Sequence, residues 1–192
     1  MTVYVNKQFA CEQASTDWIF ILDADEEITP ELREEIKTAV SSARGFSAFK
    51  LPRKNFYFGR WLKYGGKYPD TQLRLFRRGE ARFLPLPVHE RLDVKGAVSN
   101  LKNPLNHYHC ASSADMERKR LFYREMLVKS YEARAKSRFF ILLRPFARFF
   151  FNYFIRCGFL DGSQGLKTAL MDFCILTDSA VKYILDFPPR NK

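Results

Sequence analysis

The chain is poor in cysteine, in histidine and in negative charge. Four cysteines among 192 residues form no C-x-x-C pair, which excludes a zinc ribbon. No signal-peptide pattern opens the chain, so these thiols are expected to be reduced, in a cytosolic compartment. No run of about 20 apolar residues occurs, so no ordinary transmembrane helix is encoded. Internal repeats and low-complexity tracts are absent too, which excludes solenoids. Acidic side chains number 21 against 32 basic ones, a formal net charge of +11. That imbalance points to an anionic partner: nucleic acid, a phosphorylated substrate or an acidic membrane surface. What is abundant is phenylalanine, 19 residues, in a chain long enough to fold around a sizeable core.

The chain changes character near Ser112. Before it, short apolar runs alternate with Gly, Pro and Asn, as in an α/β or α+β domain; after it, helical periodicity dominates. The expected division is therefore an α/β part over 1–111 and a helical part over 112–192. Trp18-Ile-Phe-Ile-Leu22 has the pattern of a strand buried on both faces. It runs into Asp23-Ala-Asp25-Glu26-Glu27. Thr29-Pro30 then supplies an N-cap followed by proline at the first helical position. Leu32, Ile36, Ala39 and Val40 fall on one face, predicting an amphipathic helix over 30–43. Strand, acidic tip and helix together place the carboxylates at the C-terminal edge of a parallel sheet, where open α/β sheets bind ligands. Further strands are expected at 46–58, 72–77, 88–94 and 105–109. A helix capped by Ser112 or Ser113 should run to about residue 136, and another from about 163 to 186.

Asp23-Ala-Asp25 is a D-x-D. Neighbouring carboxylates repel each other, and a divalent cation with oxygen ligands, Mg²⁺ or Mn²⁺, relieves that repulsion. A cation held there would neutralise a departing diphosphate. The alternative is a solvated acidic loop.

Trp18-Ile-Phe-Ile-Leu-Asp-Ala-Asp-Glu26, followed by Tyr68-Pro-Asp-Thr-Gln-Leu-Arg-Leu-Phe-Arg-Arg78, Val88-His-Glu90 and Leu105-Asn-His-Tyr108, resembles the family 2 inverting glycosyltransferases of GT-A fold. Order and spacing resemble the branch containing lipopolysaccharide core glycosyltransferases, as does Phe159-Leu-Asp-Gly-Ser-Gln-Gly165. The resemblance implies a partial GT-A, Rossmann-like nucleotide-diphospho-sugar transferase domain. Members carry several β-α units before the D-x-D, whereas 22 residues precede Asp23 here. It therefore implies a fragment, a truncated gene or a mis-called start. The implied reaction is transfer, with inversion, from a nucleotide-sugar donor to a lipid-linked or lipopolysaccharide acceptor.

The resemblance further implies four sites. Asp25, together with Asp23, would bind the metal and the donor. Gly65-Gly66 would form a loop close to the donor sugar, where a missing Cβ permits backbone approach, or else a tight turn. Glu90 would be the general base, with Asp70 the runner-up; the alternative for Glu90 is an ion pair with Arg91. His107 would complete the metal coordination, and Arg74 would hold the diphosphate, or both are ordinary strand residues.

Residues 117–156 hold eleven Lys/Arg and three Glu, and eight of the phenylalanines fall between 139 and 159. Arg138, Arg144, Arg148 and Arg156 interrupt the apolar runs. This is the pattern of an in-plane interfacial helix on an anionic membrane, with core covered by arginine stems as the alternative. The expected location is peripheral, on the cytoplasmic face of the inner membrane. Two other classes compete: an inactive membrane-associated fragment of such an enzyme, and a basic nucleic-acid-binding module. The latter leaves the D-x-D unexplained, so no nucleic-acid partner is expected.

Overall fold

The computed structural model describes residues 3–43, 45–84, 91–133 and 137–188. Its elements are α1 (Val3–Gln13), β1 (Trp18–Phe20), β2 (Glu26–Ile28), α2 (Pro30–Ser41), β3 (Phe46–Tyr57), β4 (Arg60–Trp61), β5 (Asp70–Arg77), β6 (Ala81–Leu84), β7 (Arg91–Val94), β8 (Ala97–Asn100), β9 (Leu105–Cys110), α3 (Ser113–Ala133), α4 (Arg138–Phe150) and α5 (Gly162–Asp186). A π-helical turn, Phe151–Ile155, and a 3-10 turn, Gly158–Asp161, join α4 to α5. This is a mixed α/β fold with C-terminal helices.

The chain divides into two compact units. The first comprises Met1–Asn55 and Tyr68–Tyr108, the second Phe56–Lys67 and His109–Lys192.

In the first unit the sheet runs in the order β1-β5-β3-β9-β2, with β8 also on β3. The expected parallel sheet is not what surrounds the D-x-D. β1 pairs antiparallel with β5, β2 antiparallel with β9, and β3–β8 is a parallel pair. β1 is also shorter and more exposed than the apolar run suggested. Three residues form strand, each half-buried, and Leu22 is exposed. The reason is position: β1 ends the strand order among the described residues. Trp18 and Phe20 reach the core on one face, while Ile19 turns to the other, beside Cys11 and Phe76. The helix after the acidic turn forms as expected. The Thr29 hydroxyl accepts from the Leu32 amide at 3.2 Å, and Pro30 takes the first helical position. Buried Leu32, with Ile36, Ala39 and Val40, packs on Phe49, Leu51, Leu75 and Leu105 of the sheet.

The second unit is built on α3, α4 and α5. Ser112 caps α3, its hydroxyl accepting from the Asp115 amide at 3.1 Å. Tyr131, Ile141 and Ala180 form a buried cluster, and Tyr57, Leu62 and Cys110 form another. The 56–67 excursion is held by the turn before α5 and by α5 itself. Buried Asp161 accepts from the Lys63 and Tyr64 amides at 3.2 and 2.9 Å, and Lys67 pairs with Asp172 at 2.9 Å. The four cysteines are free thiols. Among the described residues no helix is long and apolar enough to cross a membrane.

Candidate functional site

Three strands of the first unit change from apolar to polar at one level of the same sheet face. On β3 the inward series Phe49, Leu51 continues as Arg53 and Asn55, since alternate residues share a face. On β9, Leu105 is followed two residues later by His107. On β2, Ile28 lies opposite Leu105 and Glu26 opposite His107. The apolar layer lies against α2, and the polar layer ends in the turn that carries the D-x-D.

The polar side chains form one continuous network. Glu26, whose side chain is wholly buried, pairs with Arg53 at 3.1 Å and with Arg74. The second Glu26 oxygen accepts from the Asp23 amide at 3.0 Å, and the Glu26 amide donates to the Asp23 carbonyl at 3.0 Å, which closes the turn. Arg53 donates through Nε and Nη2 to one oxygen of Asp70 at 3.0 and 2.7 Å. Asn55 Nδ2 donates to that same oxygen at 3.0 Å, and Gln72 to the other at 2.7 Å. Arg74 sits where the β3–β5 register shifts, between the residues that face Phe49 and Lys50. Such bulges re-aim a side chain. Here Arg74 Nη2 reaches Asp23 at 2.8 Å as well as Glu26, while its Nε is buried without a hydrogen-bond partner among the described residues.

The two D-x-D carboxylates occupy different surroundings. Asp23 lies between Lys7 of α1, at 2.9 Å, and Arg74. Burial works against its ionisation, but the Lys7 hydrogen bond and the Arg74 charge outweigh that and hold its carboxyl below the usual range. Asp25 is more open, its side chain 43% exposed, with Oδ2 3.4 Å from His107 Nε2. The Tyr108 amide donates to the Asp25 carbonyl at 2.8 Å and ties the turn to β9. His107 is buried, and its Nδ1 lies 2.6 Å from Asn55 Oδ1.

Asp70 is a strongly held carboxylate. Burial raises its pKa, but the Asn55 hydrogen bond and the Arg53 charge bring it below the ordinary range. Since an ionised carboxylate only accepts, Asn55 must turn its NH₂ to Asp70 and its oxygen to His107. Nδ1 therefore carries the proton, and in the neutral ring Nε2, the nitrogen facing Asp25, is the one with acceptor character.

Of the expected site residues, the structure brings Asp23, Asp25, Asp70, Arg74 and His107 into this network. Arg74, expected on a diphosphate, is buried between Asp23 and Glu26. Gly65 and Gly66 belong to the second unit and are held there by local geometry. Both have positive φ, 63° and 75°, and the Gly65 amide donates to the Arg156 carbonyl at 2.9 Å. A Cβ on Gly66 would come within 2.3 Å of the Arg156 guanidinium. Glu90 lies outside the described residues. Glu26, Arg53, Asn55 and Gln72 were not among the expected residues; the polar alternations Arg53-x-Asn55 and Asp70-x-Gln72, which meet where Arg53 faces Asp70, are the signal for the last three, and Glu26 has none.

No group of three or more His, Cys, Asp or Glu side chains at metal-binding spacing occurs among the described residues. Asp25 and His107 nonetheless form a chemically suitable pair. Mg²⁺ and Mn²⁺ keep several waters and take few protein ligands beside substrate phosphates, and an imidazole favours the transition ion, Mn²⁺. Asn55 is the outer partner that a ligating imidazole ordinarily has.

No family profile matches the chain. Over 97 residues, half of this chain, it is 33% identical to the lipopolysaccharide core biosynthesis glycosyltransferase LpsC of Rhizobium meliloti (strain 1021), and the matched part spans 36% of that protein. The chain is thus similar, over about a third of the relative's length, to a glycosyltransferase of lipopolysaccharide core biosynthesis.

Proposed function

We propose that this chain carries the metal- and acceptor-handling part of an inverting, family 2-type glycosyltransferase of GT-A fold. It would transfer a sugar from a nucleotide-sugar donor to a lipid-linked or lipopolysaccharide acceptor. The observation that carries this reading is the Asp25–His107 pair, held at the end of a buried ion network by Asn55. Its support from outside the structure is the similarity to the Rhizobium transferase.

In this reading Asp25 and His107 would hold Mn²⁺ or Mg²⁺, whose charge would serve to neutralise a departing diphosphate. Asp23 is positioned by Lys7 and Arg74 at the donor side of the turn. Glu26 and Arg74 keep the turn in place from beneath, so the D-x-D is preorganised rather than assembled on binding. Glu90 takes the proton from the acceptor hydroxyl as its oxygen attacks the anomeric carbon. The bond from that carbon to the phosphate oxygen breaks, with its electron pair leaving on the diphosphate. A general base works best with a pKa near the operating pH. Asp70, ionised and surrounded by Arg53, Asn55 and Gln72, is suited to positioning rather than to accepting a proton.

The test is incubation with a panel of nucleotide-sugars in Mn²⁺ or in EDTA, reading release of nucleoside diphosphate. Metal-dependent release that Asp25→Ala abolishes without unfolding the protein supports the reading. Release that survives Asp25→Ala with unchanged metal dependence removes Asp25 from the role.

A further inference from the structure

The second unit buries the less apolar side of α4. Ile141 and Pro145 face inward, Arg144 bonds the Tyr131 hydroxyl at 3.1 Å, and Arg138 donates to the Phe187 carbonyl. Phe139, Phe140, Leu142, Leu143, Phe146 and Phe150 face outward, with Phe140 70% and Phe146 63% exposed. A helix of a globular domain ordinarily turns its apolar stripe to the core, whereas α4 turns its richest apolar stripe outward.

The outward surface does not stop with α4. Phe146 and Phe149 both meet Phe173 of α5, at 5.2 and 6.2 Å between ring centroids. Phe149 stacks on Tyr153 at 5.5 Å, and Phe150 lies 5.3 Å from Phe154. Tyr153 in turn meets Phe159 at 6.3 Å. Half-buried Phe149, Tyr153 and Phe173 thus form a floor, with exposed Phe146, Phe150, Phe154 and Phe159 standing around it. Contiguous exposed apolar surface of this kind marks an interaction site.

Charge decides among occupants. Residues 133–160 contain no Asp or Glu. Arg148 and Arg156, in and just after the aromatic segment, are exposed, as is Lys167 in the first turns of α5. Aromatic side chains beside cations, with no acid among them, match the boundary between acyl chains and anionic headgroups.

We propose that the outward face of α4 and of the aromatic turn after it docks in the plane of a bilayer that displays anionic lipid headgroups. The insertion is shallow: Phe140, Phe146, Phe150 and Phe154 enter the acyl boundary, while Arg148 and Arg156 stay among phosphates. This rests on the surface of the second unit and not on the transferase reading, and its test requires no activity.

The experiment is flotation of the full 192-residue chain with phosphatidylcholine vesicles, and with vesicles containing phosphatidylglycerol, across a salt series. Binding to the anionic vesicles is expected to weaken but persist as salt rises, because screening removes only the electrostatic part. The triple variant Phe140→Ser/Phe146→Ser/Phe150→Ser, checked for folding by circular dichroism, should lower the vesicle partition at least about a hundredfold at any salt. Arg148→Glu should lower it severalfold, at low salt only. Equal binding to neutral and anionic vesicles, binding to neither, or an unaltered triple variant would overturn the proposal. So would a stable dimer in light scattering that the triple variant disrupts, since a second copy would then cover the face.

Discussion

Asn55 joins His107 to Asp70: its Oδ1 lies 2.6 Å from His107 Nδ1, and its Nδ2 donates to Asp70 Oδ2 at 3.0 Å. One side chain therefore converts the fixed charge of Asp70 into a fixed tautomer at His107. The same arrangement orients the His107 ring so that Nε2 meets Asp25. Replacing Asn55 with Ala should weaken Mn²⁺ binding about 10–100-fold, the usual worth of an outer partner to a ligating histidine. It should also cost about 1–3 kcal/mol of stability, from the buried groups it leaves unsatisfied. Calorimetric Mn²⁺ titration and urea denaturation separate the two effects. Lost stability with unchanged Mn²⁺ affinity would make Asn55 a scaffold residue only.

Arg74→Ala should be among the most destabilising substitutions in the first unit. Glu26 is wholly buried, and removing one partner of a buried pair costs about 3–5 kcal/mol. The lower end is expected because Arg53 still contacts Glu26. Lys37→Ala breaks the exposed Lys37–Glu34 pair and should cost under about 1 kcal/mol. Urea midpoints of the two variants test the contrast, and similar midpoints would show that the network contributes little.

Stability should fall on the acid side. Asp23 and Asp70 both titrate below their ordinary range, so the folded protein binds protons less readily than the unfolded chain. Their contribution is fully present above about pH 4, the unfolded value, and is lost as pH falls through their depressed folded values. Thermal midpoints measured from pH 7 to pH 2.5 should drop below about pH 4. Asp70→Asn should lower the midpoint at pH 7 and flatten the acid decline. An unchanged acid decline in that variant would remove Asp70 from the account.

How much of this was legible beforehand depended on whether the signal was local. Thr29-Pro30 and the spacing of Leu32, Ile36 and Val40 specify α2 without help from the rest of the chain. Ser112 and the long helices read equally well. Members of the polar network were legible where a motif pointed to them, at Asp23, Asp25, Asp70, Arg74 and His107. Glu26 is not legible in the sequence, because nothing in an acidic run says which carboxylate is buried; pairing with β9 decides that. Arg53, Asn55 and Gln72 acquire meaning only once β3 and β5 are placed in register. The reversed environment of Arg74 depends on a bulge that no residue in Gln72-Leu-Arg-Leu-Phe76 announces.

Glu90→Gln should lower sugar transfer by about 10²–10⁴-fold, the usual worth of a general base, with donor affinity little changed. Asp70→Asn should act mainly through stability and the position of Asn55. Steady-state kinetics of the two variants at matched folding distinguish them. A large fall for Asp70→Asn, with none for Glu90→Gln, would exchange their roles.

The central claim is that Asp25 and His107 form one divalent-metal site, and paramagnetic broadening by Mn²⁺ tests it most directly, because it detects weak binding without donor or turnover. Titrating Mn²⁺ into ¹⁵N-labelled protein should selectively erase the amide signals of residues around Asp25 and His107. Asp25→Ala and His107→Ala should each abolish that selectivity, while Lys37→Ala leaves it intact. Uniform broadening in the unmodified protein, or selective broadening that survives both substitutions, would contradict the account.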